Sequence, residues 1–579
     1  MLYFNLLHRP AENPSQREAF AFQQRMAHEL GLKVTLLIDY QSMCDPETVA
    51  ELQAYARDFG DELGVWFMNL PPAADSADGR REPFIWLYAD DEKRRIIKQV
   101  LERFHATFGF APVSAGAYHL DAESLRILKE LAPSIEIAVA GCFEEGARVF
   151  HGCNHSWYLF SEGMPWAPWY PAKNNSLRPA ADEADALGIV AVPHLSRDLV
   201  LSYEGRNDFF ATHPANVQRA MANDGMNNPY MYNLVDQHRL QADFNDGFAY
   251  IHIFVGPTWI AGDPTVQDSV EVSRQLYREF LEYFVELRKQ GQAADMWMRE
   301  FAAWYRQNVL IGKPQVAFAK EMLYGTGKHY FWYLDAFTRV LVDAAQGGSI
   351  GDLRPYAAQI NSHTGADTKA LWYGSYPYLI QSQHRTGNSH HYADGSRTTL
   401  LVTRNGETLD LANVRVKVAD VTRVEGQTTL RLTPARLTFS DGMSVSIETV
   451  YRFLGGGNIL IERKLLEGED AQAQEYVKAC WGVTEYPEDL REVVLTVTGK
   501  TSRELRYEYR SREICSEAVL AVAARIPYIQ TIISLTSDEP RESGTAIEGY
   551  LFSPYFTLTM SGTLRAGKAL RTWLKIEKM

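Results

Sequence analysis

Along the first 312 residues, short apolar runs alternate with stretches whose apolar positions recur every third or fourth residue. The runs read as strands buried on both faces, and the periodic stretches as helices with one buried stripe. The predicted strands are Leu2–Leu7, Val34–Asp39 (VTLLID), Gly64–Leu70 (GVWFMNL), Ser114–Leu120, Ile135–Ala140, Ile189–Val192 and Tyr250–Val255 (YIHIFV). The predicted helices are Arg17–Leu30, Pro46–Phe59, Asp91–Phe108, Ala122–Leu131 and Val270–Leu287, and Trp297–Tyr305 opens a last one. Ile96, Ile97, Val100, Leu101 and Phe104 line one face of Asp91–Phe108, and Asp121 is placed to cap the next helix. Strict alternation of this kind predicts a parallel sheet with crossover helices. Seven or eight units in one run predict an α/β fold with a closed or nearly closed (β/α) barrel.

A long irregular insertion, Phe143–Gly188, separates the fifth strand from the sixth. It holds Trp157, Trp166, Trp169 and Tyr170, a composition unlike disordered chain. Pro314–Gly348, with Tyr324, Tyr330, Phe331, Trp332 and Tyr333, reads as one or two helices bridging two domains. From Leu353 the pattern becomes strand-like, as in Asn413–Val418, Thr428–Leu432, Ser444–Val450 and Ile459–Leu465. Turn signals at Asn405–Gly406, Asp441–Gly442 and Gly455–Asn458 punctuate it. The expected domains are therefore a barrel at 1–312, a helical bridge at 313–352 and an antiparallel β-sandwich at 353–579.

Composition narrows the partners. The 58 Lys and Arg against 72 Asp and Glu leave a net charge of −14, which disfavours nucleic acid. No apolar run approaches the roughly 20 residues that span a bilayer, so no membrane partner is expected. The N-terminus, MLYFNLLHRP, lacks a basic region and a small-residue cleavage site, so a cytoplasmic protein is the simplest reading. A secreted protein with its leader removed stays open, as does homo-oligomer formation. Cys44, Cys142, Cys153, Cys480 and Cys515 form no Cys-x-x-Cys pair; a loop disulfide between Cys142 and Cys153 is the minor alternative to free thiols. The 12 Trp, 30 Tyr and 27 Phe either fill cores or present flat faces to sugar rings.

In a parallel barrel the chemistry sits at the C-terminal strand ends. That rule selects His8 and Arg9 after strand one and Asp39 after strand two. It also selects Tyr118, His119 and Asp121 after strand four, and His194, Arg197 and Asp198 after strand six. His252 lies within strand seven, and Glu300 lies near the last unit. Asp39 is the most specific of these, a carboxylate directly after a buried run, although a helix cap has the same signature. His119 and Asp121 would share a face while their strand lasts. His194 and Asp198 would form a His–carboxylate pair, against a plain loop hydrogen bond. His252 is either functional or a satisfied core histidine. Trp166, Trp169, Tyr170, Asn174 and Asn175 would line a substrate, or form a hydrophobic lid. No phosphate-binding glycine loop, HExxH motif or nucleophile elbow is present.

These strand ends resemble the barrel shared by polysaccharide deacetylases and glycoside hydrolases of families 38 and 57. Asp39 of VTLLID resembles the first deacetylase motif. Asp61–Met68 (DELGVWFM) keeps the Glu-Leu-Gly of the second, but Trp66 and Met68 stand where metal-binding histidines are usual. His252 echoes a later strand motif, and Glu300, Ala302, Trp304 and Tyr305 resemble a closing helix. The resemblance covers the first 310 or so residues, and the order barrel, bridge, sandwich is that of family-38-like enzymes. It implies a carbohydrate substrate.

Without the metal histidines, the expected activity is metal-independent hydrolysis of glycosidic bonds in an oligosaccharide or glycan, with no cofactor. Asp39 is one carboxylate, Asp121 or Asp198 the other, and His119 or His194 tunes the pair. Trp66 would contact substrate, and Arg9 or Arg197 would bind a substrate carboxylate, which keeps acidic sugars open. The alternatives are a metal-dependent carbohydrate deacetylase rebuilt from His119, His194 and His252, a polysaccharide lyase, or a non-catalytic carbohydrate-binding protein. His390 and His391 in Gln383–Gly395 offer a loop that would reach the site from the sandwich, or a plain surface loop.

Overall fold

A computed structural model of the chain describes residues 1–74, 85–141, 164–204, 214, 217, 229–254, 256–261, 270–357, 379–381, 396–480, 494–498, 502–506, 512–550 and 553–579. Trp157, the Cys142–Cys153 pair and the Gln383–Gly395 loop lie outside these residues.

The first half is a nearly closed parallel barrel. Its strands are β1 (Leu2–His8), β2 (Val34–Ile38), β3 (Glu62–Trp66), β4 (Ser114–Gly116) and β5 (Ile137–Gly141). After a short hairpin of β6 (Pro171–Ala172) and β7 (Asn175–Pro179) come β8 (Val190–Pro193), β9 (Ala249–Phe254) and β10 (Ala293–Asp295). β9 pairs along β1 from Leu2 to Leu7, while β10 and then β2 share its other edge. The sheet continues through β3, β4 and β5 to β8. Each strand buries both faces. Leu2, Phe4 and Leu6 join the core under the helices, whereas Leu7, Leu37 and Trp66 fill the barrel interior.

α1 (Arg17–Glu29), α2 (Pro46–Phe59), α3 (Asp90–Phe108) and α4 (Ala122–Leu131) form crossovers. α2 shows why its boundaries fall where they do. Asp45 accepts a hydrogen bond from the Thr48 amide, Pro46 occupies the first turn, and Gly60 closes the helix in the left-handed region. The helix Met298–Asn308 covers the N-terminal end of the barrel, burying Met298, Phe301, Ala302 and Tyr305 against the interior residues.

β8 and β9 do not pair, and this seam is closed by other means. Below, Trp169 and Ala191 exchange backbone hydrogen bonds of 3.0 and 2.8 Å. Above, the Ser196 amide donates to the His252 carbonyl at 3.2 Å, and the His252 amide to Ser196 Oγ at 2.9 Å.

The expected helical bridge is instead an antiparallel sheet of β11 (Gln315–Lys320), β12 (His329–Leu334), β13 (Thr338–Asp343) and β14 (Ser349–Pro355), extended by β15 (Ile380–Gln381). Its residues alternate between two cores. Tyr330, Trp332, Leu334 and Leu341 face the barrel, and Phe331, Tyr333, Val340 and Val342 face the C-terminal strands. With both faces apolar, the run lacks the polar phase that separates a period of two from one of 3.6. From β16 (Arg397–Arg404) to β29 (Ala569–Lys578) the chain forms a fourteen-stranded antiparallel sheet, whose inner residues pack with those of the bridging sheet.

Gln241 and Asn245 lock the barrel to β11. Gln241 donates to the Phe318 carbonyl and accepts from its amide, at 2.8 and 2.9 Å. Asn245 does the same with Val316, at 2.8 and 3.1 Å. Two side-chain amides thus cover an exposed strand edge.

Candidate functional site

The alternation of β2 carries Asp39 onto the interior side, two residues beyond Leu37. It is 6% exposed. Its Oδ1 accepts the Ser42 amide at 2.8 Å and its Oδ2 accepts Asn69 Nδ2 at 3.0 Å. Burial pushes its carboxyl above the ordinary range, while these donors pull it partly back and the nearby charge of Glu12 pushes upward. Asn69 holds a left-handed φ of 46°, a conformation asparagine adopts more readily than most residues.

Beside it lies a cationic and aromatic cluster. Arg9 pairs with Glu12 at 3.1 Å and places Nη1 3.3 Å from Met68 Sδ. Its guanidinium lies 5.8 Å from the Trp66 ring centre and 6.0 Å from that of Tyr118. Tyr118 meets Trp66 edge-on at 5.5 Å and stands 4.8 Å from the His194 ring. Gly116 makes room for this arrangement, since a Cβ there would come within 2.7 Å of the Trp66 ring. The loop after β3 ties the two halves together, because Met68 touches Arg9 and Asn69 touches Asp39. His252, one strand away, bonds the His194 backbone, and burial lowers its pKa to about 3.

Other candidates lie elsewhere. His8 faces outward, between Gln24 and the Tyr277 hydroxyl, and burial lowers its pKa to about 3. Asp121 caps α4 through the Ser124 amide at 2.8 Å and pairs with the wholly buried Lys93 at 2.6 Å. His119 packs edge-on against Trp86 and bonds the Ala140 carbonyl at 3.1 Å. β4 ends at Gly116, before His119 and Asp121, so the shared strand face expected for them does not form. Asp198 caps the turn Leu199–Glu204 through the amides of Val200 and Leu201, and burial raises its pKa to about 6. The expected His194–Asp198 pair is replaced by this cap. Arg197 is buried, with its carbonyl bound to His238 Nε2 at 3.0 Å.

The expected aromatic platform is the largest displacement. Trp169 and Tyr170 are buried in the β8–β9 seam, where the Tyr170 hydroxyl bonds the Val309 carbonyl at 3.0 Å. Trp166 lies at the same seam, on the wall of a cavity that opens at the N-terminal face. Asn174 and Asn175 hold the hairpin that follows, through Arg178 and the Leu177 amide. Glu300 pairs with Lys33 at 2.7 Å on the N-terminal side of the barrel.

Two mouth residues escaped sequence reasoning. Glu12 sits in the loop after β1, three positions beyond Arg9, and that spacing was the one available signal. Asn69 had none, because its contact with Asp39 is made between separate loops. Among the described residues no three His, Cys, Asp or Glu side chains converge as metal ligands, and no helix is long and apolar enough to cross a membrane. The mouth therefore combines a buried carboxyl of raised pKa, a carboxylate ion-paired to arginine, and two aromatic walls. That set can donate a proton to, and stabilise positive charge on, a polar substrate.

A family model described as a Domain of Unknown Function with solved-structure structure (DUF3863) matches residues 8–314, from the end of β1 to the start of β11. No curated protein matches the chain. Among solved structures, a candidate glycoside hydrolase/deacetylase from Parabacteroides distasonis is 14% identical, with 62% of this chain and 85% of that one covered and a TM-score of 0.42. A 4-alpha-glucanotransferase from Thermococcus litoralis is 10% identical over the full length of both chains, with a TM-score of 0.30. A galactose mutarotase-like protein from Clostridium acetobutylicum is 7% identical over 46% of this chain and 99% of that one, with a TM-score of 0.32. Overlaps this loose assign no residue a role.

Proposed function

The chain belongs to the DUF3863 family, and from that premise we propose that it is a carbohydrate-acting enzyme, a glycoside hydrolase with its reaction centre at the barrel mouth. The observation that carries this reading is the environment of Asp39, a buried carboxyl whose pKa burial raises, in the interior beyond β2. A carboxyl whose pKa burial raises is a better proton donor to a departing glycosidic oxygen than an ordinary exposed one would be.

Glu12 takes the second carboxylate role in place of Asp121 and Asp198, both of which are spent on helix caps. Held by Arg9, it faces the positive charge that develops on the sugar ring or draws a proton from the attacking water. The half-buried Tyr118 walls the sugar with the buried Trp66 packed behind it, and Arg9 lies within 6.0 Å of both ring centres. His194 borders the same wall and His252 stays neutral beneath it.

A panel of aryl glycosides and natural glycans, assayed with wild type, Asp39→Asn and Glu12→Gln, tests the assignment. Asp39→Asn is expected to lose on the order of 10²–10⁴-fold in kcat/KM. Full activity in that variant would remove Asp39 from the mechanism. Turnover that requires an added divalent metal would favour a deacetylase-type reaction instead.

A further inference from the structure

On the face opposite the mouth, a cavity of about 250 Å³ opens where the barrel, the helix Met298–Asn308, the segment leading into β11 and β18 (Val418–Val424) meet. We propose that this cavity is a second binding site, one that takes a single sugar ring.

Size sets the first limit. The cavity falls below the roughly 300–1,000 Å³ of sites that enclose drug-sized ligands, so one six-membered ring fits and an oligosaccharide does not. The lining sets the second. Tyr3, Phe248 and Trp304 form a contiguous aromatic wall, with Tyr3 and Trp304 ring centres 4.0 Å apart and Phe248 stacked on Trp304 at 5.4 Å. Trp166 lies on the wall as well. Around these rings stand hydrogen-bonding groups. His238 Nε2 lies 3.0 Å from the Arg197 carbonyl, which can only accept, so Nε2 carries the proton and Nδ1 is left as an acceptor. Burial lowers the pKa of His238 to about 4, which keeps that acceptor available at neutral pH. Asn308, whose Nδ2 donates to the Trp304 carbonyl at 2.7 Å, adds its amide oxygen at the exposed rim. Apolar ring faces with hydrogen bonds around the circumference match the amphipathic shape of a pyranose.

Lys313 and Arg423 also line the cavity, with most of their donors turned to protein partners. Lys313 pairs with Asp246 at 2.6 Å, and Arg423 donates to the Phe244 and Pro314 carbonyls at 2.9 Å each. The buried Arg423 Nε is left without a protein partner among the described residues, so the lining bars neither a neutral nor an acidic ring. Because the bound ring would touch the barrel and β18 together, its occupancy also clamps the two halves of the molecule.

The inference stands on the cavity and not on the chemistry of the mouth. Saturation-transfer NMR with D-glucose, D-galactose, D-mannose and D-glucuronate on the full chain tests it. At least one of these sugars is expected to give a saturable signal with wild type and equally with Asp39→Asn. Trp304→Phe should keep it, Trp304→Ala should weaken it at least tenfold, and Asn308→Ala, at the exposed rim, at least threefold. The proposal is overturned by the absence of signal from all of these sugars. It is equally overturned by unchanged binding in Asn308→Ala together with a folded Trp304→Ala. Binding lost in Asp39→Asn and kept in Trp304→Ala would place the sugar at the mouth and also refute this site.

Discussion

At the scale of single residues, Asn69 is the sharpest probe of the mouth. Its amide supports the ionised form of Asp39, so removing it should raise the Asp39 pKa further. An acid must be protonated to act, and activity therefore falls as pH rises through that pKa. The upper limb of the pH–kcat/KM profile is expected to shift upward in both Asn69→Gly and Asn69→Ala. The two variants should differ in stability, because a left-handed φ costs alanine about 1–2 kcal/mol that glycine escapes. Denaturant melts beside the pH profiles separate the two effects. The place of Asp39 at the end of β2 was readable in sequence, and so was the cap-like bond it makes to the Ser42 amide. Its other partners were not, since Glu12 and Asn69 reach it from loops on two other strands.

At the scale of elements, buried charge decides more than surface pairing. Lys93 and Asp121 are both wholly buried, and they join α3 to the N-terminus of α4. Lys93→Met would leave a buried carboxylate and is expected to cost about 3–5 kcal/mol. Adding Asp121→Asn should recover much of that loss, since asparagine still caps the helix. Urea denaturation of the single and double variants checks both values, and a loss below 1 kcal/mol in Lys93→Met would refute the pairing. Barrel strands such as VTLLI were readable because runs buried on both sides are unmistakable when helices separate them. The bridging sheet failed for the same physical reason, as HYFWYL is also apolar on both faces but has no helix beside it. The aromatic segment Trp166–Tyr170 was placed over the mouth because composition shows what a segment can touch and not where it lies. Only the unpaired β8–β9 edge explains its burial in the seam.

At the scale of the whole molecule, buried titratable groups set the pH of greatest stability. Burial lowers His8 and His252 to about 3 and His119 and His238 to about 4. The unfolded chain takes up these protons near pH 6.5, so stability falls as pH drops below that value. Burial raises Asp198 to about 6 and Asp343 to about 7. Their contribution is complete below their unfolded pKa near 3.8 and is lost as pH rises through 6 to 7. Four histidine terms outweigh two carboxyl terms, so Tm should rise from acid pH to about 7 and level off above it, and Asp343→Asn should steepen the rise below pH 7. A Tm still climbing at pH 8.5 would contradict that balance. If Asp39 gives its proton to the departing glycosidic oxygen, the cost of losing it depends on how much the leaving group needs that proton. Asp39→Asn and wild type are compared on aryl glycosides whose phenols range from weakly to strongly acidic. The account predicts a loss of on the order of 10²–10⁴-fold for weakly acidic phenols, shrinking toward none for dinitrophenol, which departs without protonation. An equal loss across the series, or none at all, would contradict it.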